Sequence, residues 1–450
     1  MKGLTSGNPT KILISFAAPI FFGSLFQQLY GMIDMVIVGR TVGLDAVVAL
    51  GSTTYLSNLI IGFMTGLTNG FAIITARHFG AGDSEKMRRS VSGALILGLS
   101  VSALLTLISG IFLESFLTAL STPEEIFDMA RDYISVILMC MVTAMLYNMS
   151  AGILRAVGDS VTPLVLLIFS SLLNIALDYV LISGAGMGVR GAAYATVISQ
   201  TVSFILCLLL IIKRFSFIIP KGRDFAVTPS ELGELLSMGL SMALMFSIVE
   251  MGSLILQSAI NGLGTDTIAA HTAARKLSSL LMLPITALSS STATYCSQNL
   301  GAKQYDRISK GIKSALLISW IWSCCAVAIA YTVSGGLIGF ITDNQSEEVT
   351  ALAMRYLKVN TPFYYVLGLV CIVRSAMQGV GQKAVPIISS VIEFFGKIAA
   401  VVWLVPLAGY FGVMITEPIV WIFMAIVLLA GSYPKRELLF SIKVGKAQRN

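Results

Sequence analysis

The sequence predicts an all-α integral membrane protein, with twelve transmembrane helices in two six-helix bundles related by a pseudo-two-fold axis along the membrane normal. Three observations carry that prediction: a composition too apolar for water, basic loops that alternate along the chain, and an internal repeat. Of 450 residues, 56% are hydrophobic and 12% charged, against roughly 45–50% and about 25% in soluble domains. At about 150 residues per domain the length would suit three soluble domains, but so few charges could not cover three cores with polar surface. Soluble enzymes, nucleic-acid binders and disordered scaffolds are excluded at this stage.

A spanning helix needs about 20 mainly apolar residues. The chain offers twelve candidates, over 12–38, 46–75, 91–113, 132–154, 163–183, 191–212, 233–260, 268–297, 314–341, 351–378, 386–408 and 412–433. Several are longer than a bilayer requires, which implies tilt or helical extension beyond it. The first run, Ile12 to Val38, is too long for the apolar core of a signal peptide and reads as a span.

The loops test the count. One alternating set carries Lys2 and Lys11; Arg77, Lys86, Arg88 and Arg89; Arg155; Lys213, Arg214, Lys221 and Arg223; Lys303, Arg307, Lys310 and Lys313; Lys383; and Lys435, Arg436, Lys443, Lys446 and Arg449. The other set has little beyond Arg40, Arg131, Arg190, Arg355 and Lys358, and two of its loops are acidic, Glu114 to Asp128 and Asp343 to Glu348. The positive-inside bias places both termini in the cytoplasm and the protein in the cytoplasmic membrane. A missed or invented span would scramble the alternation. These loops also account for the net charge of +7, so no nucleic-acid partner is expected. The six cysteines all lie in apolar stretches without metal-ligand spacing and read as packing residues.

The repeat holds register across the chain. Gly80-Ala81 and its run to Leu95 return 221 positions later as Gly301-Ala302 and the run to Leu316, and Gly43 and Asp45 return as Gly264 and Asp266. Further on the offset is 223, pairing Tyr133 with Tyr356, Gly158 with Gly381 and Pro163 with Pro386. An even number of spans per repeat gives both halves one orientation, which sets the axis along the membrane normal. The expected organisation is a first bundle over 1–212, a cytoplasmic linker over 213–232, a second bundle over 233–433 and a basic tail over 434–450.

Polar residues inside spans need an explanation, since a charge at the bilayer centre costs about 2.5–3.5 kcal/mol on insertion scales. Asp34 lies near the outer end of span 1, Asp178 near that of span 5 with Asn174 one turn below it, and Thr196 near that of span 6. Two of these spans run outward and one inward, yet all four residues land at one depth, as a single site built from three helices requires. Two carboxylates, an amide and a hydroxyl are hard oxygen ligands suited to Na⁺ or a shared proton. Two acids in a low-dielectric site repel, so at least one is expected to hold a proton at neutral pH.

The second half carries Glu250 in span 7, Arg374 in span 10, Glu393 and Lys397 at i,i+4 in span 11, and Glu417 in span 12. Glu393 and Lys397 read as a self-neutralising pair; Glu250 has no partner at that spacing and is the better candidate for contacting a cationic substrate. Gly186 to Gly191 fits a dinucleotide fingerprint but lies between spans and lacks the following acid, so it reads as a tight loop. Gly62, Gly66 and Gly70 form a stripe suited to close helix packing. Met139, Met141, Met145 and Met149 read as packing residues. Asn148 and Asn344 fit glycosylation sequons, the first inside a span. No nucleotide-binding loop or zinc-protease motif is present, so neither an ATP-driven pump nor an enzyme is expected, and no cofactor is implied beyond a coupling ion.

Ala18-Pro19, Gln27-Gln28-Leu29-Tyr30 and Ile33-Asp34 leading to Val38-Gly39-Arg40 resemble the multidrug and toxic compound extrusion (MATE) family. So do Leu154 to Asp159 with Pro163, Asn174 to Asp178, and Gly191 to Thr196, with the Gly-Ala loop after the second span of each repeat. The resemblance covers essentially the whole chain. It implies a V-shaped, twelve-helix secondary antiporter exporting organic cations and drugs in exchange for H⁺ or Na⁺. The family's cation site would fall on Asp34, Asn174, Asp178 and Thr196, its span-7 acid on Glu250, and its helix-bending proline on Pro19. This sequence departs from one branch in span 10, where Arg374 stands and no acid is found; Glu393 or Glu417 would substitute. A lipid-linked or polyanionic substrate flippase is the alternative within the superfamily, and a non-transporting receptor or scaffold the alternative outside it. The expected partners are small organic cations or drugs and membrane lipid, with the protein a monomer.

Overall fold

The structure, a computed structural model, describes residues 3–119, 122–341 and 347–440. The sequon at Asn344, Asp343 of the acidic loop, Lys2, and Lys443, Lys446 and Arg449 of the basic tail lie outside the described residues. The described chain is helical almost throughout. Its first half holds α1 (Pro9–Thr41), α2 (Leu44–Gly80), α3 (Ser84–Ala119), α4 (Glu124–Met139), α5 (Met141–Ala156), α6 (Val161–Asp178) and α7 (Gly188–Arg214). The second holds α8 (Pro229–Asn261), α9 (Thr265–Gly301), α10 (Tyr305–Thr332), α11 (Ser334–Ile341), α12 (Glu347–Asn360), α13 (Tyr364–Gly379), α14 (Ala384–Ala399), α15 (Val405–Ala408), α16 (Tyr410–Ser432) and the short α17 (Arg436–Phe440).

The internal repeat is written into the element boundaries. Helices α1 and α8 have 33 residues each and begin at 9 and 229; α2 and α9 have 37 each and begin at 44 and 265. The same neighbours recur: α2 packs on α3 and α5 as α9 does on α10 and α13, and α6 on α7 as α14 on α16. Both α6 and α14 run on into a π turn, Tyr179–Gly184 and Ala400–Leu404.

Among the described residues, ten helices are long and apolar enough to cross a membrane, and α4 with α5 makes an eleventh bent by 50°. The bend falls at Cys140, inside the span expected over 132–154. There the Leu138 carbonyl accepts a hydrogen bond from the Thr106 hydroxyl of α3 at 3.3 Å, so a neighbouring helix supports the interrupted ladder. In the second repeat the corresponding break is a short 3₁₀ turn, Thr361–Phe363, which contains Pro362 and so cannot continue the α-helical ladder unbroken. The twelfth expected span, 268–297, falls on α9, which has the length of a span but carries His271, Arg275, Lys276 and a hydroxyl run from Ser289 to Thr294. Much of that polar surface is buried by neighbouring helices, so α9 does not need the composition of a lipid-facing helix.

The described helices group into two compact units, one over 22–246 and a second made of 3–21 with the described residues from 247 to 440. Unit 1 therefore takes α8 up to Phe246, and unit 2 takes α1 up to Phe21. Within unit 1, α8 meets the glycine stripe of α2: a Cβ on Gly66 would lie 2.6 Å from Ala243 Cα, and one on Gly70 2.5 Å from Gly239 Cα. Only hydrogen side chains allow that backbone contact. Three ion pairs fasten the linker and the start of α8 to this unit: Arg77–Glu234, Arg88–Asp224 at 2.8 Å and Arg89–Glu231 at 2.7 Å. In unit 2 the residues before α1 are held by backbone capture instead. Leu4 N–H donates to Gln298 Oε1 at 2.8 Å, and Arg307 donates to the Gly7 carbonyl at 2.8 Å. Met141, Met145 and Met149 are buried packing residues, whereas Met139 is exposed.

Candidate functional site

Unit 1 brings Asp34, Asn174, Asp178 and Thr196 together. Helical spacing does the local work: Tyr30 and Asp34 are one turn apart on α1, as are Asn174 and Asp178 at the end of α6. Asn174 donates its amide to Thr196 Oγ1 at 3.5 Å, and the Thr196 hydroxyl donates to the Ala192 carbonyl at 3.2 Å. Asp34, Asn174 and Asp178 are all buried. The carboxyls of Asp34 and Asp178 are direct neighbours, with the phenols of Tyr30 and Tyr133 close enough to feel both charges.

Four oxygens of this cluster, Asp34 Oδ1, Asn174 Oδ1 and both of Asp178, are buried without a hydrogen-bond donor. Ionised carboxylates only accept hydrogen bonds, so two of them face to face supply no donor to each other. Buried like charges held this way call for a proton or a cation. The donor set is all hard oxygen, which fits H⁺ or Na⁺ rather than a thiolate- or imidazole-seeking metal. No three His, Cys, Asp or Glu side chains gather as a metal-binding group among the described residues.

Unit 2 distributes its charges differently. Lys397 donates to Glu393 Oε1 at 2.9 Å and to Ser253 Oγ at 3.1 Å, so the expected pair is present and reaches α8. Glu417 is not alone: Arg275 of α9 donates to it at 2.6 Å, and the Tyr356 hydroxyl at 3.0 Å. The His271 ring meets Tyr356 edge-on, centroids 5.2 Å apart, and lies 3.4 Å by its Nδ1 from the Tyr410 hydroxyl. Glu250 is half-buried and makes no ion pair among the described residues. Arg374 is also half-buried, with Nη1 lacking an acceptor. Pro19 sits inside the continuous α1, on the part that groups with unit 2, away from Asp34.

Tyr30, Tyr133, Arg275, Tyr356 and His271 join these clusters without having been singled out as site residues from sequence. Tyr30 carried a signal, its position one turn before Asp34. Arg275 carried another, as a charge inside the expected span 268–297.

A model of the MatE family matches residues 19–180 and 241–403, one match in each repeat. The probable multidrug resistance protein YoeA of Bacillus subtilis (strain 168) is 27% identical over 389 residues, covering 85% of this chain and 83% of that one. The probable multidrug resistance protein YpnP of the same organism is 28% identical over 397 residues, 87% of each chain. A crystal structure of MATE in complex with MaL6 superimposes with a TM-score of 0.89 at 24% identity, covering 98% of this chain and all of that one. At that identity the superposition speaks for the fold.

Proposed function

The chain belongs to the MatE family of membrane transporters, and from that premise we propose that it is a secondary antiporter exporting organic cations and drugs in exchange for H⁺ or Na⁺. The names of its relatives, probable multidrug resistance proteins, support the export of drugs. The observation that carries the coupling is the buried pair Asp34 and Asp178, with three carboxylate oxygens lacking any donor. A cation arriving from outside offsets one of the two negative charges; a cation leaving restores the repulsion.

Such a site couples to transport only where the two states of the transporter bind the ion with different affinity. One charge crossing 100 mV supplies about 2.3 kcal/mol, a concentration ratio of roughly 50-fold, which suffices for efflux. Asp34 and Asp178 carry the exchanged charge, Asn174 and Thr196 complete the oxygen set, and Glu250, with no ion-pair partner of its own, receives the cationic substrate.

The test is ethidium efflux from energised everted vesicles, comparing wild type with Asp34→Asn under H⁺ and Na⁺ gradients imposed separately. Gradient-driven efflux lost in the variant is the expected result, and the effective gradient names the ion. Undiminished efflux by Asp34→Asn would remove the coupling role, and wild type moving no cationic dye under either gradient would remove the substrate class.

A further inference from the structure

Pro163 and Pro386 each stand third in their helices, α6 and α14, and both helices run on into a π turn. Eleven residues beyond either proline stands Asn174 in unit 1 and Lys397 in unit 2. The same correspondence pairs Tyr133 with Tyr356, each nine residues after the glutamate that opens α4 or α12. The place that offers an amide oxygen to the unit 1 cluster thus carries an ammonium in unit 2.

That ammonium is buried and held by two acceptors. Lys397 is 3% exposed, and its Nζ donates to Glu393 at 2.9 Å and to Ser253 at 3.1 Å. Its stem lies against α8, where a Cβ on Gly252 would meet Lys397 Cδ at 3.1 Å. Glu417 of α16 lies within electrostatic reach of Lys397 and is itself paired with Arg275 of α9. Tyr356 and His271 stand beside Glu417, Cys371 of α13 lies within electrostatic reach of both Glu393 and Arg374, and Glu250 lies one turn before Ser253 on α8. Two acids and two bases therefore balance within the paired cluster, whereas Asp34 and Asp178 in unit 1 have no basic partner among the described residues.

We propose that Lys397 is a tethered counter-cation: its ammonium holds the place in unit 2 that an exchangeable H⁺ or Na⁺ holds in unit 1. An ammonium fixed to the chain cannot leave with the gradient, so unit 2 moves no coupling ion and each transport cycle exchanges cation at unit 1 alone. Removing the ammonium opens a second cation site on Glu393. The inference rests on the coupling role of Asp34 and Asp178 proposed above.

The experiment counts cations bound by purified protein in detergent, by ²²Na⁺ saturation at pH 8 and by proton uptake after a jump to pH 6, each read as the difference between variants. Wild type is expected to bind one cation more than Asp34→Asn. Lys397→Met should bind one more than wild type, and Lys397→Met/Glu393→Gln should lose that gain. Lys397→Arg, which keeps a tethered cation, should match wild type. Lys397→Gln serves for the same count where the Met variant does not elute as a single folded species. A Lys397 variant that folds and gains no cation overturns the proposal, as does a wild-type cation lost in Glu393→Gln. If Asp34→Asn binds as much as wild type while Lys397→Met still gains, the unit 1 reading fails and the tethered ammonium stands.

Discussion

Arg275 donates to Glu417 across 2.6 Å, joining α9 to α16 at a carboxylate whose other oxygen accepts from Tyr356. The Glu417 side chain is 10% exposed and that of Arg275 41%. Breaking a buried pair costs about 3–5 kcal/mol because the survivor keeps its charge without compensation. Arg275→Met should sit at the low end, about 3 kcal/mol, since the guanidinium is partly exposed. Arg275→Met/Glu417→Gln should recover most of the loss. Unfolding in mixed micelles titrated with dodecyl sulfate measures both, and a double variant no more stable than the single one would refute the pairing.

The reach of the sequence differs between the two units for a physical reason. Asp34, Asn174, Asp178 and Thr196 were legible because depth along a span follows from counting residues at 1.5 Å each, and depth alone brought them together. Glu417 and Arg275 required knowing which way α9 and α16 face each other, which no count along one helix supplies. Glu393 and Lys397 share a helix, so their pairing could be read; the reach of Lys397 to Ser253 on α8 could not. The bend at Cys140 has no proline or glycine to announce it. It is supported by a hydroxyl from α3, a neighbour known only once the chain is folded.

The contact between Gly70 and Gly239 predicts an asymmetric response to one methyl group. At Gly70 a Cβ would lie 2.5 Å from the Gly239 Cα and 2.7 Å from the Met238 carbonyl oxygen, both backbone atoms that cannot turn aside. Gly70→Ala should cost about 1–3 kcal/mol, the range for overpacking. Gly110→Ala, in α3 with nothing within 4 Å of the added carbon, should gain up to about 1 kcal/mol from helix propensity. The same micelle titration reads both, and equal effects at the two sites would contradict the close approach of α2 and α8.

Asp224, in the linker before α8, predicts an acid dependence of known sign. The Lys221 backbone N–H donates to Asp224 Oδ2 at 2.7 Å and Arg88 Nε at 2.8 Å. The backbone bond first, then the guanidinium, holds the carboxyl below the usual carboxylate range. A carboxyl lowered on folding adds stability above its unfolded pKa of about 3.9, and loses it as pH falls through the folded value. The stability gap between wild type and Asp224→Asn should therefore be constant from about pH 5 to 8 and shrink below about pH 4. A gap that widened in acid would show that the carboxylate is not what fastens the linker.

Lys303 is the one non-glycine with positive φ among the described residues, at 58°, and it stands at the repeat equivalent of Gly82, whose φ is 70°. Both close a helix in the same way. Gly82 N–H donates to the Phe79 carbonyl and Asp83 N–H to that of His78, while Lys303 N–H donates to Leu300 and Gln304 N–H to Asn299. This is the left-handed stop of a Schellman motif, which glycine fills without steric cost. A side chain there costs about 1–2 kcal/mol, against which glycine loses about 0.5–1 kcal/mol of extra chain entropy. Lys303→Gly should accordingly stabilise unit 2 by up to about 1 kcal/mol, and Gly82→Lys should destabilise unit 1 by a similar amount. Neither residue belongs to the Asp34–Asp178 cluster or to the paired charges of unit 2, so ethidium efflux should be unchanged in the folded variants. A loss of stability in Lys303→Gly would mean that the lysine side chain itself, rather than the backbone turn, holds the end of α9.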